Sequence, residues 1–188
     1  PRSSAASDVY KRQIHNLLDR QPFVKSLMVQ IGEIASKQKK KAYAVGGAVR
    51  AVFIGKELKE IDIMVIGDGI EFAKVVAKQM GVPKIVPFHR FSTAHIPSKP
   101  IPIEIAAARK ETYSKDSRKP SKVTYTNLEG DLIRRDFTVN AMAVDLLPDS
   151  FGNLYDPYNG LKDLLSKQLI TPMDPDETFS DDPVRMMR

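Results

Sequence analysis

The sequence contains no cysteine, only three histidines and no long hydrophobic run, and each of these shortages removes a class of function. Without cysteine the 188-residue chain can form no disulfide, thiolate metal site or cysteine nucleophile, so we expect any metal to be held by oxygen ligands. His15, His89 and His95 are not spaced like a ligand set or a catalytic triad, and we assign them no chemistry. No apolar run approaches the ~20 residues of a membrane span, so the sequence predicts no membrane segment.

The chain also lacks two glycine-rich nucleotide motifs, the Gly-x-Gly-x-x-Gly of dinucleotide sites and the Gly-Lys-Ser/Thr of a P-loop. It has instead a Gly46-Gly47 turn between a short buried strand at 43–45 and two helical turns at 48–54. Backbone N–H groups at such a turn can hold a phosphate chain, and Arg50, one turn later, can neutralise its charge. A simple chain reversal is the alternative interpretation.

Two carboxylates stand at the start of the next strand. Residues 61–66 alternate with strand period, so Glu60 and Asp62 lie on one face with Cα atoms ~6.6 Å apart. Glu104 is a third carboxylate, on a later strand predicted at 101–108. Oxygen ligands of this kind suit a pair of Mg²⁺ ions ~3.5–4 Å apart in phosphoryl-transfer chemistry. A solvated sheet edge is the alternative.

A polar segment, Arg-Arg-Asp-Phe-Thr-Val-Asn at 134–140, follows the strands. We predict a helix at 131–142, capped by Asp131. On such a helix Asp136 and Asn140 share a face and could bind a ribose hydroxyl while an arginine meets phosphate. A salt-bridged surface helix is the alternative.

The last residues repeat charged side chains. Asp182, with Pro183 at the first helical position, is predicted to open a final helix. Asp182, Arg185 and Arg188 recur every three residues and so lie along one face of that helix. As a general pattern this spacing is typical of ion pairing within a helix.

The net charge of +6 and the pI near 9.4 point weakly to a polyanionic partner. One basic run, at 37–41, could equally be a solvated helix end. A second segment, 109–122, has no periodicity and six basic against two acidic residues, which predicts a mobile basic loop. Its basic residues are Arg109, Lys110, Lys115, Arg118, Lys119 and Lys122.

Other elements are predicted by periodicity. They are an amphipathic helix at 23–37, a helix capped by Asp68 and stopped by Gly81, strands at 84–88, 91–96 and 143–147, and a short helix at 161–166. Residues 1–13 carry no apolar periodicity, look like translated adaptor sequence and are excluded from the predicted fold as a non-native or disordered leader. We therefore interpret the chain as a fragment, and its end inside a predicted helix fits that view.

Taken in order, the motifs resemble the head domain of the class II nucleotidyltransferases, the family of CCA-adding enzymes (tRNA nucleotidyltransferases) and bacterial poly(A) polymerases. The resemblance covers residues 23–188 and rests on VGGAVR, EIDIMV, FSTAH with IEIAAAR, DLIRRDFTVNAMA, DPYNGLKDL and DDPVRMMR. It implies an α+β fold, a five-stranded mixed sheet of the polymerase-β nucleotidyltransferase type with flanking helices. We expect a leader at 1–13, a head domain at 14–172 and the truncated start of an all-helical neck at 173–188.

The resemblance also implies roles for individual residues. Those implied to bind the nucleotide are Gly46, Gly47, Arg50, Arg135, Asp136, Asn140, Asp182, Arg185 and Arg188. Within this set, Asp182 and Arg185 are implied to pair with the base edge of CTP or ATP, as a protein template. Glu60 and Asp62 are implied to be catalytic ligands of Mg²⁺, and Glu104 is a further catalytic carboxylate with a less defined role.

The implied reaction is attack of an RNA 3′-hydroxyl on the α-phosphate of CTP or ATP, which adds CMP or AMP to the 3′ end of tRNA and releases pyrophosphate. Poly(A) polymerase activity is one alternative. The 109–122 segment corresponds to a flexible segment near the family's active site, and we expect it either to gate the site or to contact RNA backbone. A cytoplasmic location is expected, or an organelle if a transit peptide is missing, and we make no prediction of oligomeric state.

Two residues depart from the family pattern. Ala51 and Glu60 stand where the family usually has aspartate. The longer Glu60 side chain would shift its carboxylate, and because a ~1 Å misplacement can cost ~100-fold in rate, we predict reduced activity. A catalytically weakened or dead RNA-binding relative is therefore the other alternative.

Overall fold

The computed structural model describes residues 4–114 and 117–188 and, among these, the side chains of 8–111 and 123–188. The α-helices are α1 (Ser4–Leu18), α2 (Pro22–Lys37), α3 (Gly47–Phe53), α4 (Gly69–Gln79), α5 (Leu128–Ile133), α6 (Gly160–Leu165) and α7 (Pro175–Asp181). The strands are β1 (Ala42–Val45), β2 (Ile61–Val65), β3 (Val86–Phe88), β4 (Thr93–Ile96), β5 (Ile103–Ala107), β6 (Arg109–Ser114), β7 (Ser117–Tyr125), β8 (Ala143–Asp145) and β9 (Leu154–Tyr155). Short 3₁₀ helices are formed by His89–Phe91, Thr138–Asn140 and Pro183–Met187.

Seven strands form a mixed sheet in the order β3-β4-β5-β2-β1-β8-β9. Only the β2–β5 pair is parallel within this sheet, and the other neighbours are antiparallel. The predicted α+β class is confirmed. The sheet has two strands more than the five expected, because β3 and β9, of three and two residues, extend its edges.

Burial explains why β1 and β2 lie at the centre of the sheet. All four residues of β1 are buried, since α2 packs on the strand and β2 and β8 flank it. Ile61 and Ile63 of β2 are fully buried, as the strand period predicts, whereas Asp62 between them is only half-buried. Of the β2 side chains, Asp62 is therefore the one available for chemistry.

The pairing registers bring several strand ends to one edge of the sheet. β1 runs toward Gly46, and its antiparallel neighbours pair Ala44 with Ile63 and Val45 with Ala143, so β2 and β8 begin where β1 ends. β5 is parallel to β2 and places Glu104 beside Asp62. The glycine turn and the strand carboxylates consequently share this edge.

The helix α4 forms as its sequence predicts. The carboxylate of Asp68 accepts hydrogen bonds from the backbone N–H groups of Ile70 and Glu71, at 2.9 and 3.2 Å, and so caps the first turn. Gly81 has φ +69° and lies just past the C-cap residue Met80. Both predicted helix boundaries are confirmed.

The segment at 109–122 differs from the predicted mobile loop. β6 and β7 pair with each other as a separate two-stranded antiparallel sheet, in which Arg109 lies opposite Tyr125 and Glu111 opposite Val123. Periodicity could not predict these strands, because they have no apolar side to place against the core. Lys115 lies outside the described residues, as do the side chains of Arg118, Lys119 and Lys122.

Two helix predictions need correction, and the non-native origin expected for residues 1–13 stays a prediction. The predicted helix at 131–142 is instead α5 followed by the Thr138–Asn140 3₁₀ turn, and the N-cap of α5 is Asn127, not Asp131. The helix predicted to start at Asp182 is a 3₁₀ helix. Residues 4–13 belong to α1, whose later residues Ile14 and Leu18 are buried in the core. Within the described part of the chain, no helix is long and apolar enough to cross a membrane.

Candidate active site

A cavity of about 420 Å³ opens at the edge where β1 ends and β2 and β5 begin. With the exception of Glu60, each of the predicted site residues lines it: Gly46, Gly47, Arg50, Asp62, Glu104, Arg135, Asp136, Asn140, Asp182, Arg185 and Arg188. These residues come from segments separated by more than a hundred positions in the sequence. The cavity wall is mostly charged, with arginines and carboxylates facing each other.

The glycine turn forms one wall of the cavity. Gly46 has φ +62° and precedes α3, which starts at Gly47. A Cβ atom at Gly46 would lie 2.8 Å from Nη1 of Arg135, closer than carbon atoms tolerate. The positive φ favours glycine there, and a Cβ would displace the guanidinium of Arg135, which approaches from a distant motif.

A chain of polar contacts links the glycine helix to the C-terminal segment. Nη1 of Arg50 donates to Oδ1 of Asn140, and Nδ2 of Asn140 donates to Oδ1 of Asp136 at 2.9 Å. Nη1 of Arg188 donates to Oδ2 of Asp136 at 3.3 Å. Burial by itself would raise the pKa of Asp136, but these contacts and the N–H of Phe137 outweigh it and hold the pKa below its usual value. Asp136 is thus ionised and fixed in orientation.

Asp136 and Asn140 meet by a different route from the one predicted. They do not share a helix face, because Asp136 follows the end of α5 and Asn140 ends a 3₁₀ turn. The intervening turn brings the amide of Asn140 back to the carboxylate of Asp136. The contact expected from the sequence exists, but tertiary packing forms it.

The strand carboxylates concentrate negative charge. Asp62 and Glu104 are direct neighbours in the parallel β2–β5 register. Burial, followed by repulsion from Glu60 and Glu104, raises the pKa of Asp62 to about 6, and Arg135 only partly opposes this. Glu60 lies just before β2 and outside the cavity lining. It affects Asp62 by electrostatic repulsion.

These carboxylates fit a hard divalent cation. Such an ion prefers oxygen ligands, and its positive charge would reduce the repulsion between the carboxylates. Among the described residues no group of three or more His, Asp or Glu side chains is arranged to hold a metal ion. Mg²⁺, however, usually takes only one or two protein carboxylates and completes its coordination with water and phosphate oxygens. Asp62, with Glu60 or Glu104 beside it, could supply that number of ligands.

A buried network in the cavity wall, centred on Asp131, was not predicted as part of the site. Asp131 is 1% exposed and receives hydrogen bonds from Arg134 and Arg135. Arg134 and Arg109 both pair with Glu111, at 3.4 and 2.7 Å. The spacing of Asp131 three and four residues before the two arginines was the available signal, but Asp131 was interpreted as a helix cap.

The C-terminal 3₁₀ helix forms the opposite wall. Because a 3₁₀ helix has three residues per turn, Asp182, Arg185 and Arg188 stack on the side that lines the cavity. Arg185 is 6% exposed, and its Nη1 donates to the carbonyl of Thr178 at 3.2 Å. Arg188 pairs with Asp182 at 3.8 Å. The three residues share a face as predicted, but on a 3₁₀ helix instead of an α-helix.

Comparison with known proteins identifies the class. Residues 42–170 match the family model described as the poly A polymerase head domain, and the chain belongs to that family, whose heads are of the polymerase-β type. The chain is similar to an A-adding tRNA nucleotidyltransferase of Aquifex aeolicus, 43% identical over 150 residues, which are 79% of this chain and 18% of the relative.

Solved structures agree with the family. The apo form II of a CCA-adding enzyme superposes with a TM-score of 0.81 at 34% identity, over 93% of this chain and 41% of that one. A tRNA nucleotidyltransferase crystallised with a primer tRNA and an incoming ATP analogue gives 0.72 at 39% identity, over 84% and 42%. The chain therefore spans between about a fifth and two fifths of the length of these relatives.

Proposed function

We propose that the protein is a template-independent nucleotidyltransferase that adds nucleotides from CTP and ATP to the 3′ end of tRNA and releases pyrophosphate. One observation carries the proposal: a single cavity joins a glycine turn, strand carboxylates and arginines from three distant motifs. Support also comes from the relatives, which are named A-adding or CCA-adding enzymes, one of them crystallised with tRNA and an ATP analogue.

The glycine turn and the arginines would hold the triphosphate. Gly46 and Gly47 leave room for phosphate oxygens, and Arg50 and Arg135 approach the turn from two sides. Asp136, ionised and fixed by Asn140, presents carboxylate oxygen to a ribose hydroxyl. Positioning of this kind supplies much of the rate enhancement in phosphoryl transfer.

Asp62 would hold Mg²⁺, with Glu60 and Glu104 raising the local negative charge or serving as second ligands. Bound Mg²⁺ would activate the attacking 3′-hydroxyl and neutralise the charge on the leaving phosphate. Asp62 and Glu104 would fix the position of the ion, because both line the cavity edge. Little covalent chemistry is left for other side chains.

Asp182 and Arg185 would recognise the base. Arg185 is buried and anchored by the Thr178 carbonyl, while Asp182 faces the same cavity. A carboxylate acceptor next to a guanidinium donor can pair with the hydrogen-bonding edge of cytosine or adenine. Arg188 would add a contact from the same wall, since it already bridges Asp136 and Asp182.

The test is incubation of the purified protein with Mg²⁺, CTP, ATP and tRNA transcripts that end before CCA or after CC. Ordered addition of C, C and A supports CCA addition, whereas addition of A only to the CC-ending transcript supports the activity named in the Aquifex aeolicus relative. Long A tails would indicate poly(A) polymerase. No incorporation, even by a Glu60→Asp variant, would indicate a catalytically dead RNA-binding relative.

A further inference from the structure

Asp131 is a buried carboxylate at the back of the cavity, next to the arginines of the Arg-Arg-Asp segment. It lies in α5 with 1% of its surface exposed, and its side chain lines the cavity. A buried carboxylate is stable only when it is paired and hydrogen-bonded. Its contacts therefore show which groups it orients.

Each oxygen of Asp131 binds a different arginine. Oδ2 accepts from Nη2 and Nε of Arg135, at 2.9 and 3.3 Å. Oδ1 accepts from Nη2 and Nε of Arg134, at 2.6 and 3.2 Å, and from the backbone N–H of Arg109 at 3.2 Å. Burial alone would raise its pKa, but the charges of Arg135 and Arg134 hold it below the usual range.

The contact with Asp131 determines where the rest of the Arg135 guanidinium points. With Nε and Nη2 directed at Asp131, Nη1 is left on the cavity side, where it reaches the carbonyl of Asn140 at 3.4 Å. The same Nη1 lies over Gly46, at 2.8 Å from where a Cβ would be. An arginine is long and flexible, and a two-point pair with a fixed carboxylate confines it to one orientation.

We propose that Asp131 is a positioning residue that holds Arg135 over the glycine turn and thereby sets the affinity of the cavity for the triphosphate. Its second arginine, Arg134, ties α5 to Glu111 of β6 and serves the fold. The guanidiniums of Arg109, Arg134 and Arg135 share two carboxylates, those of Asp131 and Glu111, which leaves positive charge for an anionic ligand. The inference rests on the proposed nucleotide binding, but the position of Arg135 can be measured without any nucleotide.

The first experiment measures the Kd of a non-hydrolysable ATP analogue with Mg²⁺ by titration calorimetry. Asp131→Asn is expected to weaken binding about tenfold, the effect of losing a charge-assisted hydrogen bond at the binding group. The variant should raise KM for the nucleotide more than it lowers kcat, because the phosphate contact exists before and during the reaction. An unchanged Kd would overturn the proposal.

Double variants separate positioning from a general structural effect. In an Arg135→Ala background, Asp131→Asn should cause no further loss of affinity, whereas in an Arg134→Ala background it should keep its tenfold effect. Persistence of the loss without Arg135 would contradict the proposal.

Asp145→Asn is the matched control, because Asp145 is also buried but lies at the other end of β1, opposite Tyr43. It should lower the melting temperature and leave Kd unchanged.

The second experiment follows the Nε–H signal of Arg135 by NMR in ¹⁵N-arginine-labelled protein, assigned by its loss in Arg135→Ala. The signal should be sharp and slow to exchange in the wild type and broadened in Asp131→Asn. If the wild type binds no nucleotide, the proposed function fails while this signal still reports on positioning. A signal that does not change in Asp131→Asn would overturn the inference.

Discussion

Burial and the neighbouring carboxylates raise the pKa of Asp62, and its position in the cavity distinguishes it from Glu60. Its half-buried carboxylate lines the cavity beside Glu104, whereas Glu60 stands before β2 and outside the lining. Ala51, the other departure from the family pattern, lies on α3 and packs against the core. We infer that the departures affect the surroundings of the proposed metal ligand more than the ligand itself.

The first prediction concerns Asp62→Asn. Removing its charge should lower the rate of nucleotide incorporation into tRNA by about 100-fold or more, because a lost metal contact costs several kcal/mol at the transition state. Incorporation of radiolabelled AMP measures the rate, and Glu60→Asp is the matched variant, expected to keep or increase activity. Full activity of Asp62→Asn would contradict the proposed metal site.

The second prediction concerns acid stability and Asp131. Folding lowers the pKa of this carboxylate, so its ion pairs stabilise the protein above the unfolded-state pKa of about 3.9 and the stabilisation is lost as pH falls through the lower folded value. At pH 7, Asp131→Asn should cost about 3 kcal/mol, the lower end of the range for a broken buried pair, since both arginines are partly exposed.

Urea unfolding as a function of pH measures this effect. The free energies of unfolding of wild type and Asp131→Asn should differ most near neutral pH and converge as the pH falls below about 4, where the unfolded-state carboxyl is already protonated. A difference that stays constant down to pH 2 would show that the ion pairs are not its source.

At the scale of an element, the β1–α3 turn depends on a contact that the chain makes much later. Gly46 and Gly55 both have positive φ, +62° and +67°, so alanine is strained at either position. A Cβ at Gly46 would meet Arg135, whereas at Gly55 nothing lies within 4 Å. The two ends of α3 therefore offer a matched comparison.

The third prediction is that Gly46→Ala and Gly55→Ala both destabilise the protein, by about 1–2 kcal/mol, because each forces a residue with a side chain to adopt a positive φ. Only Gly46→Ala should also weaken nucleotide binding, by about tenfold or more, because it displaces Arg135. Thermal melting and calorimetric titration measure the two quantities. Equal nucleotide affinity in both variants would contradict the role given to the turn.

The hairpin β6–β7 is the element whose structure the sequence predicted least. Its strands pair with each other in a sheet separate from the main one, and their sequences carry no apolar alternation from which strands could be predicted. Its base is fixed by Arg109, which lies over the ring of Phe91 at 4.8 Å and pairs with Glu111. Gating of the cavity or contact with RNA by this segment stays a prediction.

At the scale of the whole molecule, the net charge of +6 favours association with RNA. The lysine run at 37–41 is distant from the cavity, however. It joins the end of α2 to the start of β1, and the cavity begins at Val45, at the other end of β1 and ~13 Å away along the strand. The run therefore fits the solvated helix end that its sequence also allowed.

The fourth prediction is that replacing Lys37, Lys39 and Lys41 by serine hardly changes tRNA binding. The slope of log Kd against log salt concentration should decrease by less than about 0.5, whereas each lost phosphate contact would remove roughly 0.7–0.9. Filter binding between 50 and 200 mM NaCl, a range of roughly fourfold in salt, measures the slope. A decrease of about 2 would place the run on the RNA.

Sequence reasoning was most successful where a residue is governed by its neighbours in the chain. The cap at Asp68, the stop at Gly81 and the strand period around Asp62 depend on local conformation and burial, and the structure agrees with each. It was less successful at 131–142, where helix propensity competed with packing. There the chain turns after α5 so that Asn140 can reach Asp136, and no periodicity encodes that turn.

The sequence by itself determined the motifs and which residue types could bind phosphate and metal, because these follow from spacing, charge and glycine placement, and the family resemblance that the motifs carry implied the α+β class. Only the tertiary structure decided that Arg135 lies over Gly46, that Asp131 holds it there and that Glu60 stands outside the cavity. Those relations depend on strand register and on contacts across the chain, which local patterns do not specify.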